Sequence, residues 1–240
     1  AANLGSMLTP IGNPQNLYLY SHYQMQPAAF FRTVAPVCVV SFFLLVGCVF
    51  LSVRGKPLAP PQSAAPLDKK RLALPLSLVA FCLLTVLRVL DYRVSVAVVL
   101  LALLLLDRTI LPMVDYRLLG TFAAFFILVG NLGAIGAVRD FLASVMEGRE
   151  MVVSALVSQV TSNVPASILL SGFTDDGRAL LLGTNIGGLG TLVASLASLI
   201  SYRLYLKGEK ARPGMYLGLF TALNVTLLVL LLLFAQNVLL

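Results

Sequence analysis

Met151–Phe173 reads MVVSALVSQVTSNVPASILLSGF, two apolar halves parted by Thr161-Ser162-Asn163-Val164-Pro165. A helix needs about 20 mostly apolar residues to cross the hydrocarbon core of a bilayer, and each half offers roughly ten. The segment therefore predicts a re-entrant hairpin over 151–173, entering and leaving on one side, with Ser162 and Asn163 at its tip. Downstream, Ala179–Leu206 is interrupted by GTNIGGLGT (Gly183–Thr191), which predicts a broken helix over 179–206. Lipid offers no partner to free backbone groups, so such a break survives only where it is buried in protein or lines a cavity.

Composition sets the solvent. Of 240 residues, 59% are hydrophobic and 11% charged, against about 25% charged in a soluble domain. The mean hydropathy is +0.94. The expected class is an all-α membrane protein. Working outward from the hairpin, spans are expected at 30–53, 72–90, 94–113, 118–138 and 214–240, and a broken helix at 1–20. Arg54–Arg71 (RGKPLAPPQSAAPLDKKR) reads as a polar, Pro-rich linker. The opening AANLGSMLTP reads as the inside of a structural unit, which predicts that the natural protein extends upstream. Cys38, Cys48 and Cys82 all lie within apolar runs and show no ligand spacing, so they read as packing residues, with neither a disulfide nor a transition-metal site.

Charge position explains the net charge of +7 without a nucleic-acid partner. With the 54–71 linker in the cytoplasm and a hairpin that returns to its own side, eleven Lys and Arg fall inside and four outside. That is the positive-inside bias. It places the C-terminus outside and suits a multi-pass protein of the plasma membrane. The tyrosines fall near span ends, as in an aromatic belt.

The chain also repeats itself. NLGSMLTPIGNPQNL (Asn3–Leu17) aligns with NIGGLGTLVASLASL (Asn185–Leu199) at one constant offset, pairing Asn3 with Asn185, Gly5 with Gly187 and Thr9 with Thr191. On the topology above the two copies run in opposite directions, the signature of inverted repeats. The first repeat then ends within 1–53 and the second occupies 72–240.

No Asp, Glu, Lys or His stands in the middle of a span, and His22 falls in an outer loop. A membrane-embedded enzyme needs buried nucleophiles, acids or metal ligands, so none is expected here. Neutral polar residues gather at the breaks instead. They are Ser162 and Asn163 at the tip, Thr184, Asn185, Gly187, Gly188, Gly190 and Thr191 at the facing break, and Thr9, Gly12, Asn13 and Asn16 in the first copy. Unwound carbonyls coordinate cations and half-helix N-termini face anions; glycine lets backbone approach a ligand closely. The glycines of GNLGAIG (Gly130–Gly136) read instead as helix-packing residues.

Gly5–Asn16 (GSMLTPIGNPQN), Ser162–Pro165 (SNVP) and Asn185–Thr191 (NIGGLGT) together resemble the ion transporter superfamily of citrate transporters, divalent anion/sodium symporters and arsenite permeases. The resemblance implies an inverted-repeat transporter with re-entrant hairpins and broken helices, elevator-type motion and a homodimer. It implies a cation-coupled permease for a small anion such as citrate or another di- or tricarboxylate, with sodium as the coupling ion and no other cofactor. Carried over, Ser162, Asn163, Thr9 and Asn13 bind the substrate. Ser162, Asn163, Thr184, Asn185, Gly187, Gly190, Thr191 and Gly12 surround the cation. Val164 departs from the dicarboxylate symporters, which carry Thr there, and brings the tip closer to the arsenite and sodium/proton antiporter branches. Antiporters there tend to place Asp where Ser162 stands, and a neutral Ser carries no proton. Inorganic anion efflux, sodium/proton antiport and a non-transporting membrane subunit stay open as alternatives.

Overall fold

The computed structural model describes residues 1–52, 69–106, 108–208 and 211–239, and among them every regular element is helical. The order is α1 (Ala2–Ser6), α2 (Pro14–His22), α3 (Pro27–Ser52), α4 (Lys69–Val86), α5 (Tyr92–Leu106), a 3₁₀ turn (Arg108–Met113), α6 (Tyr116–Ala134), α7 (Gly136–Met146), α8 (Glu150–Thr161), α9 (Asn163–Ser171), α10 (Gly177–Gly187), α11 (Leu196–Leu206) and α12 (Pro213–Val238). Pro27–Leu51, Tyr116–Ala134 and Pro213–Val238 are long and apolar enough to cross a bilayer. The chain is an all-α, multi-pass membrane protein.

The chain divides into two compact units, Ala1–Cys48 with Arg117–Leu240, and Val49–Tyr116. In the smaller unit α4 packs on α5, with the Thr85 and Ser95 hydroxyls hydrogen-bonded. Between them Arg88 takes φ 62° and the Asp91 carboxylate accepts the Arg93 N–H at 2.8 Å. The span expected at 94–113 is not one helix: α5 has 15 residues and a 3₁₀ turn follows. Asp107 lies outside the described residues, as does the expected linker up to residue 68.

In the larger unit α10 is the axis. Its N-terminus is capped by Asp176, whose carboxylate accepts the N–H groups of Arg178 at 3.0 Å and Ala179 at 2.9 Å, the usual satisfaction of orphan helix donors. From Ala179 to Gly187 every residue is buried. Leu182, Ile186 and Leu189 share a core with Leu4, Met7, Val37, Met151 and Leu231.

Glycines set how closely α8 approaches α10. A Cβ on Gly183 would stand 2.0 Å from Ser154 Oγ, one on Gly187 2.7 Å from Ala155 Cα, and one on Gly190 2.2 Å from Gln159 Oε1. Both residue series rise together, so α8 and α10 run parallel. Against α2 the order reverses: Gly177 abuts the Tyr23 ring while Asn185 meets Asn13 and Asn16. α9 follows α1 and α2, with Asn163 on Asn3, Ser171 on Tyr18 and Thr174 on Tyr23. Hence α9 runs antiparallel to α8, and the 151–173 segment folds back on itself at Ser162.

That turn is strained. Ser162 sits at φ 72°, ψ 152°, a region essentially reserved for glycine and costing about 1–3 kcal/mol in other residues. Ser162→Gly is expected to raise stability by about 1 kcal/mol, read by thermal unfolding of the detergent-solubilised protein. A loss would show that the hydroxyl, rather than the backbone, holds the tip.

Two further sequence expectations change. The span expected at 118–138 ends at Ala134, because Ile135 turns extended (φ −89°, ψ 101°) before α7 starts. The glycines of GNLGAIG do not pack helices among the described residues: a Cβ on Gly130, Gly133 or Gly136 meets nothing there within 4 Å. α6 touches its neighbours through larger groups, Phe126 against the Tyr18 ring and Val129 against Gly172.

Candidate functional site

Three interruptions converge: the hairpin turn at Ser162, the α1–α2 break and the α10–α11 break. The restarts at α2 and α11 each have a side-chain cap, and α9 has none. Asn13 Oδ1 accepts the Asn16 N–H at 2.8 Å, and Pro14 opens α2. Ser195 Oγ accepts the Ser198 N–H at 3.2 Å at the start of α11. Asn13 and Ser195, and likewise Pro14 and Leu196, stand at the offset of 182 that separates Asn3 from Asn185.

Asparagines bind the breaks together. Asn185 is fully buried (0% exposed). Its Nδ2 donates to Asn16 Oδ1 at 2.6 Å and to the Leu181 carbonyl at 2.8 Å. Its Oδ1 accepts Asn13 Nδ2 at 3.1 Å, and its carbonyl accepts Asn3 Nδ2 at 3.1 Å. Asn3, the sequence counterpart of Asn185, thus touches it directly. Asn3 Oδ1 in turn accepts Asn163 Nδ2 from the hairpin tip at 3.3 Å. Asn16 Nδ2 closes the first break by donating to the carbonyls of Met7 at 3.0 Å and Thr9 at 3.1 Å. A Cβ on Gly188 would lie 2.2 Å from Asn3 Nδ2, so glycine is what admits the Asn3 side chain there.

The hairpin tip is pinned to the second break. The Asn163 N–H donates to the Ala194 carbonyl at 2.9 Å, and Ser162 Oγ reaches the same oxygen at 3.5 Å. This N–H belongs to the first turn of α9, where the helix dipole is positive. The cluster therefore assembles uncharged amides, carbonyl oxygens and a half-helix N-terminus, group types able to bind and orient an ion.

The residues expected at the site divide. Ser162, Asn163, Asn13 and Asn185 meet in or beside this network. Thr9 is exposed and contributes its carbonyl to Asn16. Gly12 packs against the first break, a Cβ there falling 1.8 Å from the Ser6 carbonyl oxygen. Thr184 turns its hydroxyl back to the Leu180 carbonyl at 2.8 Å. Gly187, Gly190 and Thr191 face Gln159 instead of the asparagine cluster. Sequence reasoning passed over Asn3 as a contact residue, Ser6, and Gln159; the signal for the last was an amide in an otherwise small and apolar half-helix, where polar groups are costly. It also passed over Gln15, buried at 1% exposure, whose Nε2 has no partner among the described residues.

At the far end of α2 from the asparagines, Tyr18 Oη and Ser171 Oγ share a hydrogen bond of 2.7 Å, and the Tyr23 hydroxyl donates to the Thr174 carbonyl at 2.8 Å. Burial first, then Tyr18 and the carboxylates of Asp175 and Asp176, push the Tyr23 phenol well above its ordinary range. It stays a donor at any physiological pH.

The family model described as "Citrate transporter" matches residues 1–174. The chain is 33% identical over 236 residues to an uncharacterized transporter of Methanocaldococcus jannaschii, an alignment covering 98% of this chain and 64% of that protein. It is 34% identical over 211 residues to the inner membrane protein YbiR of Escherichia coli, covering 85% of this chain and 56% of that protein. The chain thus spans less than two thirds of either relative. No solved structure matches it.

Proposed function

The chain belongs to the citrate transporter family, and from that membership we propose that it forms the greater part of a secondary permease moving a small anion such as citrate or another di- or tricarboxylate. The observation that carries the reading is the asparagine network linking the hairpin tip to both helix breaks, Asn163 to Asn3, Asn3 to Asn185, and Asn185 to Asn13 and Asn16. Neutral amides and helix-break backbone groups are the means by which transporters hold an anion and a coupling cation near the midplane. Ser162, Asn163, Thr9 and Asn13 face the anion. Ser162, Asn163 and Asn185 give the first contacts to the cation, sodium in this proposal, with Gly12, Thr184, Gly187, Gly190 and Thr191 shaping the breaks around it.

The folded-back α8–α9 pair supports a re-entrant hairpin entering from one side of the bilayer. The matched offsets of caps and helix starts support two repeats, the first ending within 1–53 and the second filling 72–240. Elevator-type motion, a homodimer, a plasma-membrane location with the 54–71 linker cytoplasmic, and an outer C-terminus complete the proposal. Val164, buried at the tip with no hydroxyl, favours one second reading, efflux of an inorganic anion.

The test is uptake by the full-length protein in proteoliposomes, with labelled citrate, succinate and arsenite supplied under imposed sodium or proton gradients. Saturable, gradient-dependent movement of a carboxylate is the expected outcome. Movement of the inorganic anion alone selects the second reading, and no movement of any anion sinks both. Asn163→Ala is expected to abolish transport while the folded yield stays near wild type; wild-type flux in that variant removes Asn163 from the site.

A further inference from the structure

The side chain of Gln159 bridges the α10–α11 break. Its Nε2 lies 3.0 Å from the Ala155 carbonyl oxygen, 2.8 Å from that of Gly187 and 3.0 Å from that of Leu189. Its Oε1 accepts the Thr191 N–H at 2.9 Å, and its own carbonyl accepts Thr191 Oγ1 at 3.0 Å. The network settles which end of the amide is nitrogen, since the reverse assignment would set one oxygen against three others and the nitrogen against an N–H.

Carbonyl oxygens converging on one point, here one at the last residue of a helix and one beyond it, are how membrane proteins hold alkali cations. Gly187 is the last residue of α10, so its carbonyl is one that the helix leaves unpaired, at the negative end of the dipole. Here that point is filled by an amide nitrogen with two hydrogens. The backbone is cut to fit it: Gly190 takes φ +98°, and a Cβ there would stand 2.2 Å from Gln159 Oε1.

We propose that Gln159 is a positioning residue whose amide stands in for a cation among the carbonyls of Ala155, Gly187 and Leu189, holding the second break in shape without an ion at that point. It deepens the reading above, on which it rests for the role of the break in transport. Cation coordination then falls to the oxygens nearer the hairpin tip, and Gly187, Gly190 and Thr191 serve by seating Gln159.

The test measures the Tm of the full-length protein in detergent, in sodium, potassium or choline chloride at equal ionic strength. Gln159→Leu removes every donor and is expected to lower Tm by about 5 °C or more in all three salts, with at least a tenfold loss of transport. In Gln159→Asp the shorter carboxylate withdraws from the carbonyls and leaves room for an ion. Its Tm is expected to rise in sodium or potassium relative to choline by about 5 °C more than wild type's own salt response. Gln159→Glu keeps the full side-chain length, leaves no such room, and is expected to be destabilised in every salt. A merely structural glutamine gives no such contrast between the two acids. The proposal is overturned if Gln159→Leu keeps wild-type Tm and flux, or if Gln159→Asp answers the cations no more than wild type does. Because Tm needs no solute, a wild-type protein that moves no anion would undo the transport reading and leave this result legible.

Discussion

Gly183→Ala is expected to lower stability by about 3 kcal/mol or more and to leave little folded protein in the membrane. The added Cβ would stand 2.0 Å from Ser154 Oγ, 2.3 Å from the Met151 carbonyl oxygen and 2.8 Å from Met151 Cα. Rotating the serine relieves only the first contact. The other two are backbone, so α8 and α10 must part, and the parting disturbs Gly187 against Ala155 one turn along. Gly130→Ala is the matched control. It stands mid-helix in α6 with nothing within 4 Å of the new methyl, so helix propensity alone predicts a gain of about 0.5–1 kcal/mol. The two substitutions are chemically identical and opposite in expected sign. Thermal unfolding of the detergent-purified protein reads both. Equal effects would mean that α8 and α10 are not in the close contact described.

Asn185→Leu carries the second large effect. Leucine matches the size of the amide but leaves the buried Asn16 Oδ1 without its donor, while half-buried Asn13 keeps Ser6 Oγ as a partner for its Nδ2 at 3.3 Å. The stranded buried acceptor costs about 1–3 kcal/mol, and the loss at Asn13 adds less. Asn185→Asp separates geometry from hydrogen bonding: as a carboxylate it keeps the shape and the acceptor toward Asn13 but has no donor for Asn16. Transport is expected to vanish in both variants. A folded, active Asn185→Leu protein would remove the asparagine network from the mechanism.

Much of this was legible along the chain. Asn-Pro at 13–14, Ser-Asn-Val-Pro at 162–165 and the glycines of 183–190 are local instructions. They stop helices, cap them or leave backbone bare, and the breaks fall where those residues stand. Apolar length likewise revealed the three spans. These features obey rules reaching no further than about four residues, so a sequence displays them. Even here the end of α6 was misplaced, because the turn at Ile135 depends on backbone angles that its flanking glycines permit without compelling.

Which breaks meet, and through which atoms, was decided by tertiary packing. Asn3 and Asn185 share a repeat position, yet only the passage of α10 between α2 and α8 brings the side chain of one to the backbone of the other, across 182 residues. Gln159 shows the same dependence. Nothing adjacent to it announces that its amide closes a break beginning at Gly187; a parallel helix pair, brought close by glycines, delivers it there. The glycines of GNLGAIG complete the contrast. They resemble those of α10 in composition, but among the described residues nothing stands within 4 Å of one set while backbone presses on the other. Small residues permit close approach; the fold supplies the neighbour.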